Sequence, residues 1–329
     1  MSPSPRQRVV VFSDIHYAGP TEQRRRGHES RAVANPVVRT LLRAYRRFLW
    51  LKDPQGHAGM LDRFLAAAPE ADLAVGVGDY SCDTGFVGLA DDGALESARL
   101  CAEKLRGRFG DRLELTWGDH ELGKLSLAGG AGGMRLASWR RGIEELGLKP
   151  LWQRELGRHV LLGVVSSLLA WPVFEPEALP EERPDWERLR REHLAAIEAI
   201  FDALRPEQRV VLFCHDPTAL PFLHETAAVR ARLGQIEATI IGHLHTKLVW
   251  WQSRLLAGMP RITFLGNAVR RMSSALHRAR LWRPFRVRLC PSLTGCQLLK
   301  DGGFLTLDLD PRAAAPPRIR FHPLPWSER

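Results

Sequence analysis

No Asp or Glu occurs between residues 238 and 300, a stretch that carries eleven Lys and Arg. A second basic segment, 17–52, sets nine Lys and Arg against two acids. The chain of 329 residues has a formal net charge of +10, so the remainder is net −8. This is an acidic body with two basic segments, not a uniformly basic protein. Cysteine is scarce. Cys82, Cys101, Cys214, Cys290 and Cys296 are odd in number, scattered, and form no C-x-x-C pair, so neither a disulfide framework nor a zinc ribbon is indicated. Long apolar runs are missing too. Val160–Trp171 is broken by Gly163, Ser166 and Ser167 and stays below membrane-spanning length. Val9–Phe12, behind MSPSPRQR, is too short for a signal-peptide core. These absences point to a soluble cytoplasmic protein, with a peripheral place on a membrane surface left open. Gly118 to Leu125 approaches a P-loop but lacks the Ser/Thr that would hold magnesium.

What is present is ordinary for a globular chain: 45% apolar and 26% charged residues, enough for a substantial core. β-branched runs predict strands at Arg8–Phe12, Leu73–Val77, Leu113–Thr116, Val160–Val165, Arg209–Phe213 and Ala238–Ile241. Helical patterns cover about 37–51, 58–68, 94–108, 134–146 and 185–204. The tail from about 285 reads as strands, with Phe304–Leu309 and Arg318–Phe321 the clearest. Alternating strands and helices argue an α/β fold. With no strong linker, residues 1–329 are expected to form one domain, with a basic helical insertion at about 17–70 and a basic segment plus strands at about 250–329.

Five short motifs fall at or just after strand ends: Asp14-Ile15-His16, Gly78-Asp79, Gly118-Asp119-His120-Glu121, His215, and Gly242-His243-Leu244-His245. Strand carboxyl ends are where α/β proteins place binding groups. In D-x-H and H-x-H on extended chain, alternate side chains share a face and can reach one centre. Carboxylates with imidazoles suit divalent Mn, Fe or Zn.

The order D-x-H, G-D, G-N-H-[DE], H, G-H-x-H resembles the calcineurin-like metallophosphoesterase superfamily, over about residues 8 to 250. The resemblance implies an α/β sandwich of two sheets flanked by helices (αββα), with a two-metal site at one edge. It implies that Asp14, His16 and His245 bind one divalent ion, that Asp119, His215 and His243 bind the other, and that Asp79 bridges both. It further implies hydrolysis of a phosphomonoester, phosphodiester or pyrophosphate bond, with His120 beside the leaving oxygen and Asp83 or Glu121 orienting it. Asp119 departs from the family, which has Asn there; the extra charge should tighten metal binding and soften Lewis acidity. Gly78-Asp79-Tyr80-Ser81-Cys82-Asp83 departs from the protein Ser/Thr phosphatase pattern by one residue before Asp83 and by the missing Arg, which disfavours that subclass.

Both basic segments leave the chain next to metal motifs. On a helical wheel Arg39, Arg43, Arg46 and Arg47 share an arc of about 100°, opposite an apolar side of Val37, Leu41, Leu42, Tyr45 and Phe48. Two readings apply: a helix packed by its apolar face with arginines in solvent, or a basic lid or wall beside the site, in which those four arginines bind an anionic phosphoester substrate or rest on anionic lipid. In the second segment Trp250, Trp251, Trp282 and Phe285 stand among arginines, which suits base stacking, an anionic membrane surface, or strands with an apolar inner face. A nucleotide-linked lipid or nucleic acid is therefore an alternative substrate. A non-catalytic metal-containing protein that binds nucleic acid or anionic membrane is the alternative function. No feature points to a protein partner.

Overall fold

A computed structural model describes residues 6–126 and 130–326. Among the described residues ten strands form two five-stranded mixed sheets. The first has the order β10–β9–β1–β2–β3, where β1 is Gln7–Phe12, β2 Leu73–Gly76, β3 Leu113–Leu115, β9 Gly303–Leu309 and β10 Arg318–Pro323. The second has the order β4–β5–β6–β7–β8, from Trp152–Leu156, His159–Val164, Arg209–Cys214, Ile236–Ile241 and Val287–Leu289. β1, β2 and β3 run parallel, as do β5 through β8. β9 pairs antiparallel with β1 and β10, and the edge strand β4 pairs antiparallel with β5.

The two-residue period of the strands builds the layers. Val9, Val11, Leu73, Val75, Leu161, Val211, Phe213, Ile240, Leu305 and Leu307 form the layer between the sheets. Their neighbours Val10, Phe12, Ala74, Val160, Leu162, Val210 and Leu212 turn outward onto helices and belong to the larger core. Burial of each such side chain contributes roughly 1.5–3 kcal/mol. The Asp92–Phe109 helix covers the first sheet. It is capped by Asp91, whose carboxylate accepts from the Gly93 and Ala94 N–H groups at 3.0 Å. The Arg183–Asp202 helix buries Trp186, Ile197 and Phe201 against the second. This is the αββα sandwich that the resemblance implied.

Two regions differ from the sequence reading. β4 was not expected: Gln153, Arg154 and Glu155 are exposed, so this edge strand shows no alternation, and only Trp152 is buried. The segment after His245 reads from sequence as open to strands, yet it folds mainly as helices, Lys247–Leu255 and Asn267–His277, before β8. Thr246 starts the first of these, its hydroxyl accepting from Leu248 N–H at 2.9 Å.

Candidate metal centre

The parallel strands β1, β2, β3, β6 and β7 all deliver their carboxyl ends to one edge of the sandwich. The loops there are held in an unusual backbone state. Asp14, His16, Asp79, His243 and His245 all have φ between 47° and 60°, in the left-handed region that non-glycine residues seldom adopt. Such strain, on the order of 1–3 kcal/mol per residue, persists only where surrounding structure dictates it. Here Asp14 N–H donates to Gly78 C=O at 3.0 Å, His16 N–H to Asp79 C=O at 3.0 Å, and Tyr17 N–H to Tyr80 C=O at 2.9 Å, zipping the first two loops together. Gly78, at φ 101°, packs its Cα against Gly118, where a side chain would collide with backbone.

The Glu121 carboxylate fixes these loops from beneath. It accepts from the N–H groups of Asp79 (2.9 Å), Tyr80 (2.8 Å) and Gly118 (2.8 Å). Burial, and then the charge of Asp79, push its pKa up to about 7. Glu121 therefore shapes the backbone and does not orient His120. Asp83 does not orient His120 either: it accepts from Gly88 N–H at 2.9 Å. The His120 ring is set instead by its Nδ1–H, directed at the Cys82 carbonyl at 3.0 Å. A backbone acceptor of this kind leaves no trace in a side-chain motif.

Two groups of side chains converge. Asp14, His16, Asp79 and His245 form one; Asp79, Asp119, His215 and His243 form the other. Within each, the potential ligand atoms all lie within 4.8 Å of one another, and Asp79 belongs to both. In the first group His245 Nε2 is 3.1 Å from Asp14 Oδ1 and 3.3 Å from His16 Nε2. In the second, His215 Nε2 lies 3.3 Å from Asp79 Oδ2 and 3.4 Å from Asp119 Oδ1, and His243 Nδ1 lies 3.4 Å from Asp119 Oδ1. Asp79 Oδ2, Asp119 Oδ1, His215 Nε2 and His243 Nδ1 are buried without a hydrogen-bond partner. Leaving such atoms unsatisfied costs free energy, and a shared cation would satisfy all of them at once.

Partners outside the groups fix which ring nitrogen faces in. His215 Nδ1–H donates to the Val77 carbonyl at 2.6 Å, and His16 Nδ1–H faces the Ser81 carbonyl at 3.3 Å, so both present Nε2. His243 turns Nε2 toward Asp216 Oδ2 at 3.7 Å and presents Nδ1. Burial pushes the pKa values of His215 and His243 down, but Asp79 and Asp119 for His215, and Asp216 and Asp119 for His243, outweigh it and raise both. These are carboxylate-rich pockets that already favour positive charge.

Asp119 has a partner that the sequence reading missed. Lys124 Nζ sits 3.2 Å from its Oδ2. Burial opposes ionisation of Asp119, yet Lys124 and then His243 hold its pKa well below the usual carboxylate range. Oδ1 faces the histidines while the Lys124 ammonium lies beside Oδ2, so the ion pair offsets the charge that sets Asp119 apart from an asparagine. The signal was the Gly123-Lys124 step. One helical turn, Asp119–Leu122, ends at Gly123 with φ 92°, which returns the chain toward Asp119.

His16, His120, His243 and His245 line a cavity of about 210 Å³ whose other wall comes from the 17–52 segment, through Leu42, Tyr45, Arg46, Trp50 and Leu51. The Trp50 ring lies 4.9 Å from that of His245. Of the four arginines singled out from the helical wheel, only Arg46 reaches this cavity, and its guanidinium is held by Glu29, with Nε–Oε2 at 2.6 Å. Arg39 donates to the Val33 and Ala34 carbonyls. Arg43 and Arg47 border a neighbouring depression with Lys52. The Pro36–Phe48 helix is not packed by its apolar face: Leu42 is its one buried residue, and Val37, Leu41, Tyr45 and Phe48 are exposed.

No family model and no curated protein matches the sequence. Among solved structures the chain is similar to phosphopantetheinyl hydrolase from Mycobacterium tuberculosis, at 16% identity over 84% of this chain and 92% of that one, with a TM-score of 0.36. It is similar to GAP50, the anchor in the inner membrane complex of Plasmodium, at 10% identity over 97% and 84%, with a TM-score of 0.40. It is also similar to the purple acid phosphatase PPD1 from yellow lupin seeds, at 11% identity over 74% of this chain and 39% of that one, with a TM-score of 0.36. At TM-scores this low the likenesses carry no argument about function, which rests on the geometry above.

Proposed function

We propose that the protein is a metal-dependent phosphoesterase of the calcineurin-like kind, hydrolysing a phosphomonoester, phosphodiester or pyrophosphate bond. One observation carries this reading: two four-residue Asp/His groups that share Asp79, with buried and unpartnered ligand atoms aimed at each other. Asp14, His16, Asp79 and His245 would hold one divalent cation, and Asp79, Asp119, His215 and His243 a second. Bound there, such a pair supplies Lewis acidity and a water acidic enough to attack phosphorus at neutral pH.

The remaining chemistry belongs to the chain itself. His120 Nε2 faces the cavity 3.8 Å from Asp79 Oδ2. Burial, and then Lys124, depress the His120 pKa, so the ring is neutral until an anionic substrate offsets both and lets Nε2 carry a proton to the leaving oxygen. Lys124 and Arg46 are occupied by Asp119 and Glu29. The cavity wall of Leu42, Tyr45, Trp50, Leu51 and Phe86 would hold an apolar or aromatic part of the substrate beside the phosphoryl group. Offsetting the Asp119 charge through Lys124 supports a working site over a degenerate one that merely locks a metal in place.

The test is hydrolysis of an aryl phosphate and an aryl phosphodiester by the Mn-, Fe- or Zn-reconstituted protein. Asp79→Ala and His215→Ala are expected to fall to background. Full metal-dependent turnover in both variants would overturn the reading.

A further inference from the structure

Among the described residues, every exposed large hydrophobic side chain except Ile143 lies in one of the two basic segments. Val37, Leu41, Tyr45 and Phe48 follow one another at helical spacing, with Leu41 65% and Phe48 64% exposed. In the second segment Trp251 and Leu255 stand four residues apart on the Lys247–Leu255 helix, 61% and 69% exposed. Phe264, 82% exposed, and Leu265 lie in the loop that follows. A soluble surface seldom gathers its apolar residues in this way without a partner.

Cations stand among them. Arg46, Arg270, Arg271 and Arg278 are tied to carboxylates, whereas Arg43, Arg47, Arg254 and Arg283 hold none among the described residues. A concavity of about 810 Å³ is lined by Lys247, Arg254, Arg280, Arg283, Arg286 and Arg288 and by no acidic residue. The two segments also touch. Gln297 N–H donates to the Trp50 carbonyl, and Leu298 N–H to the Leu49 carbonyl at 3.4 Å. Trp50 in turn lies on His245, so this contact adjoins the metal-site cavity.

We propose that the two basic segments together form a docking face for an anionic lipid bilayer, set beside the mouth of the metal-site cavity. Aliphatic and aromatic side chains interleaved with unpaired arginines match an interface of acyl chains beneath anionic headgroups. Nucleic acid fits less well. Trp282 and Phe285 are buried and Trp250 is stacked on Trp282 at 6.1 Å, which leaves Trp251 and Phe264 as the exposed rings of this segment, each beside exposed leucines that offer no platform for bases. A second copy of the chain fits poorly as well, because a two-fold contact would set these arginines against themselves.

Sedimentation of the full-length protein with vesicles tests this. Binding is expected to vesicles of phosphatidylcholine mixed with phosphatidylglycerol and not to phosphatidylcholine alone, and to weaken in salt as the screening length shortens. Each Arg→Gln change among Arg43, Arg47, Arg254 and Arg283 should weaken it about fivefold. Leu41→Asp with Phe48→Asp, and separately Trp251→Asp with Leu255→Asp, should weaken it at least about tenfold. Should a charged pair disturb folding, seen as a lowered unfolding temperature, the comparison of the two vesicle types with unaltered protein decides alone. Absence of anionic-vesicle binding, tighter binding to single-stranded RNA than to vesicles, or a stable dimer whose contact is broken by these substitutions would each overturn the proposal. The measurement reads binding and not hydrolysis, so its failure leaves the phosphoesterase reading standing.

Discussion

Replacing Lys124 with methionine removes the cation from Asp119 while keeping most of the side chain's bulk. Lys124 Nζ and Asp119 Oδ2 are 3.2 Å apart, and the carboxylate is almost wholly buried. At an effective dielectric near 20, two unit charges at that distance attract by about 5 kcal/mol. Ordering and partial desolvation of the lysine reduce this to a net of about 2 kcal/mol. In chelator, Lys124→Met should therefore lower stability by about 2 kcal/mol, because Asp119 keeps a buried charge without its main counter-ion. Asp119→Asn makes the lysine unnecessary. In that background, the same Lys124→Met change should cost less than about 0.5 kcal/mol. Denaturant unfolding of the four metal-free proteins measures the coupling directly. With metal present, Lys124→Met should also bind divalent ions more tightly, since a positive charge has left the neighbourhood. A cycle in which the two substitutions simply add would refute the idea that Asp119 and Lys124 act together in place of an asparagine.

His193 should dominate part of the acid limb of stability. Its Nε2 accepts from Val165 N–H at 3.1 Å, and burial pushes its pKa down to about 3, below the unfolded value near 6.5. The contribution is thus fully present above pH 6.5 and is lost as pH falls toward 3, about 2 kcal/mol of it by pH 5. His193→Gln should flatten the difference between unfolding curves at pH 7 and pH 5; an unchanged difference would contradict this. His215 and His243 behave with the opposite sign, since their folded pKa values are raised. In chelator their contribution is complete below about pH 6.5 and declines as pH rises through the raised values. Metal binding near neutral pH should accordingly release at least about one proton per chain, read by calorimetry in buffers of different ionisation enthalpy; zero release would count against the assignment. His120→Ala should slow phenyl phosphate hydrolysis about a hundredfold more than nitrophenyl phosphate hydrolysis, because only the poorer leaving group needs the proton. Equal slowing of both would remove His120 from that role.

Much of the scaffold was legible because parallel buried strands read as β-branched runs. Val9–Phe12, Leu73–Val77 and Val210–Phe213 announce themselves, and each motif follows such a run directly. β4 was not legible, since three of its five residues are exposed and charged or polar. The wheel of the 36–48 helix separated arginines from apolar residues correctly, but a wheel does not say which side meets the protein. The Asn35 cap and Pro36 start that helix locally, whatever it packs against. Arg46 turned inward because Glu29 lies on the neighbouring short helix, a contact that no local pattern encodes. The residues of the two Asp/His groups were picked out from their order alone. What positions them was not, because Val77, Ser81 and Cys82 act through backbone carbonyls and Glu121 through backbone N–H groups.

Metal content read together with turnover tests the shared site most directly. The reconstituted protein is expected to hold two divalent ions per chain and to hydrolyse an aryl phosphate or phosphodiester. Asp79→Ala, which takes a ligand from both groups at once, should lose metal and activity together. A protein that holds no divalent ion, or an Asp79→Ala variant with undiminished metal-dependent hydrolysis, would contradict it.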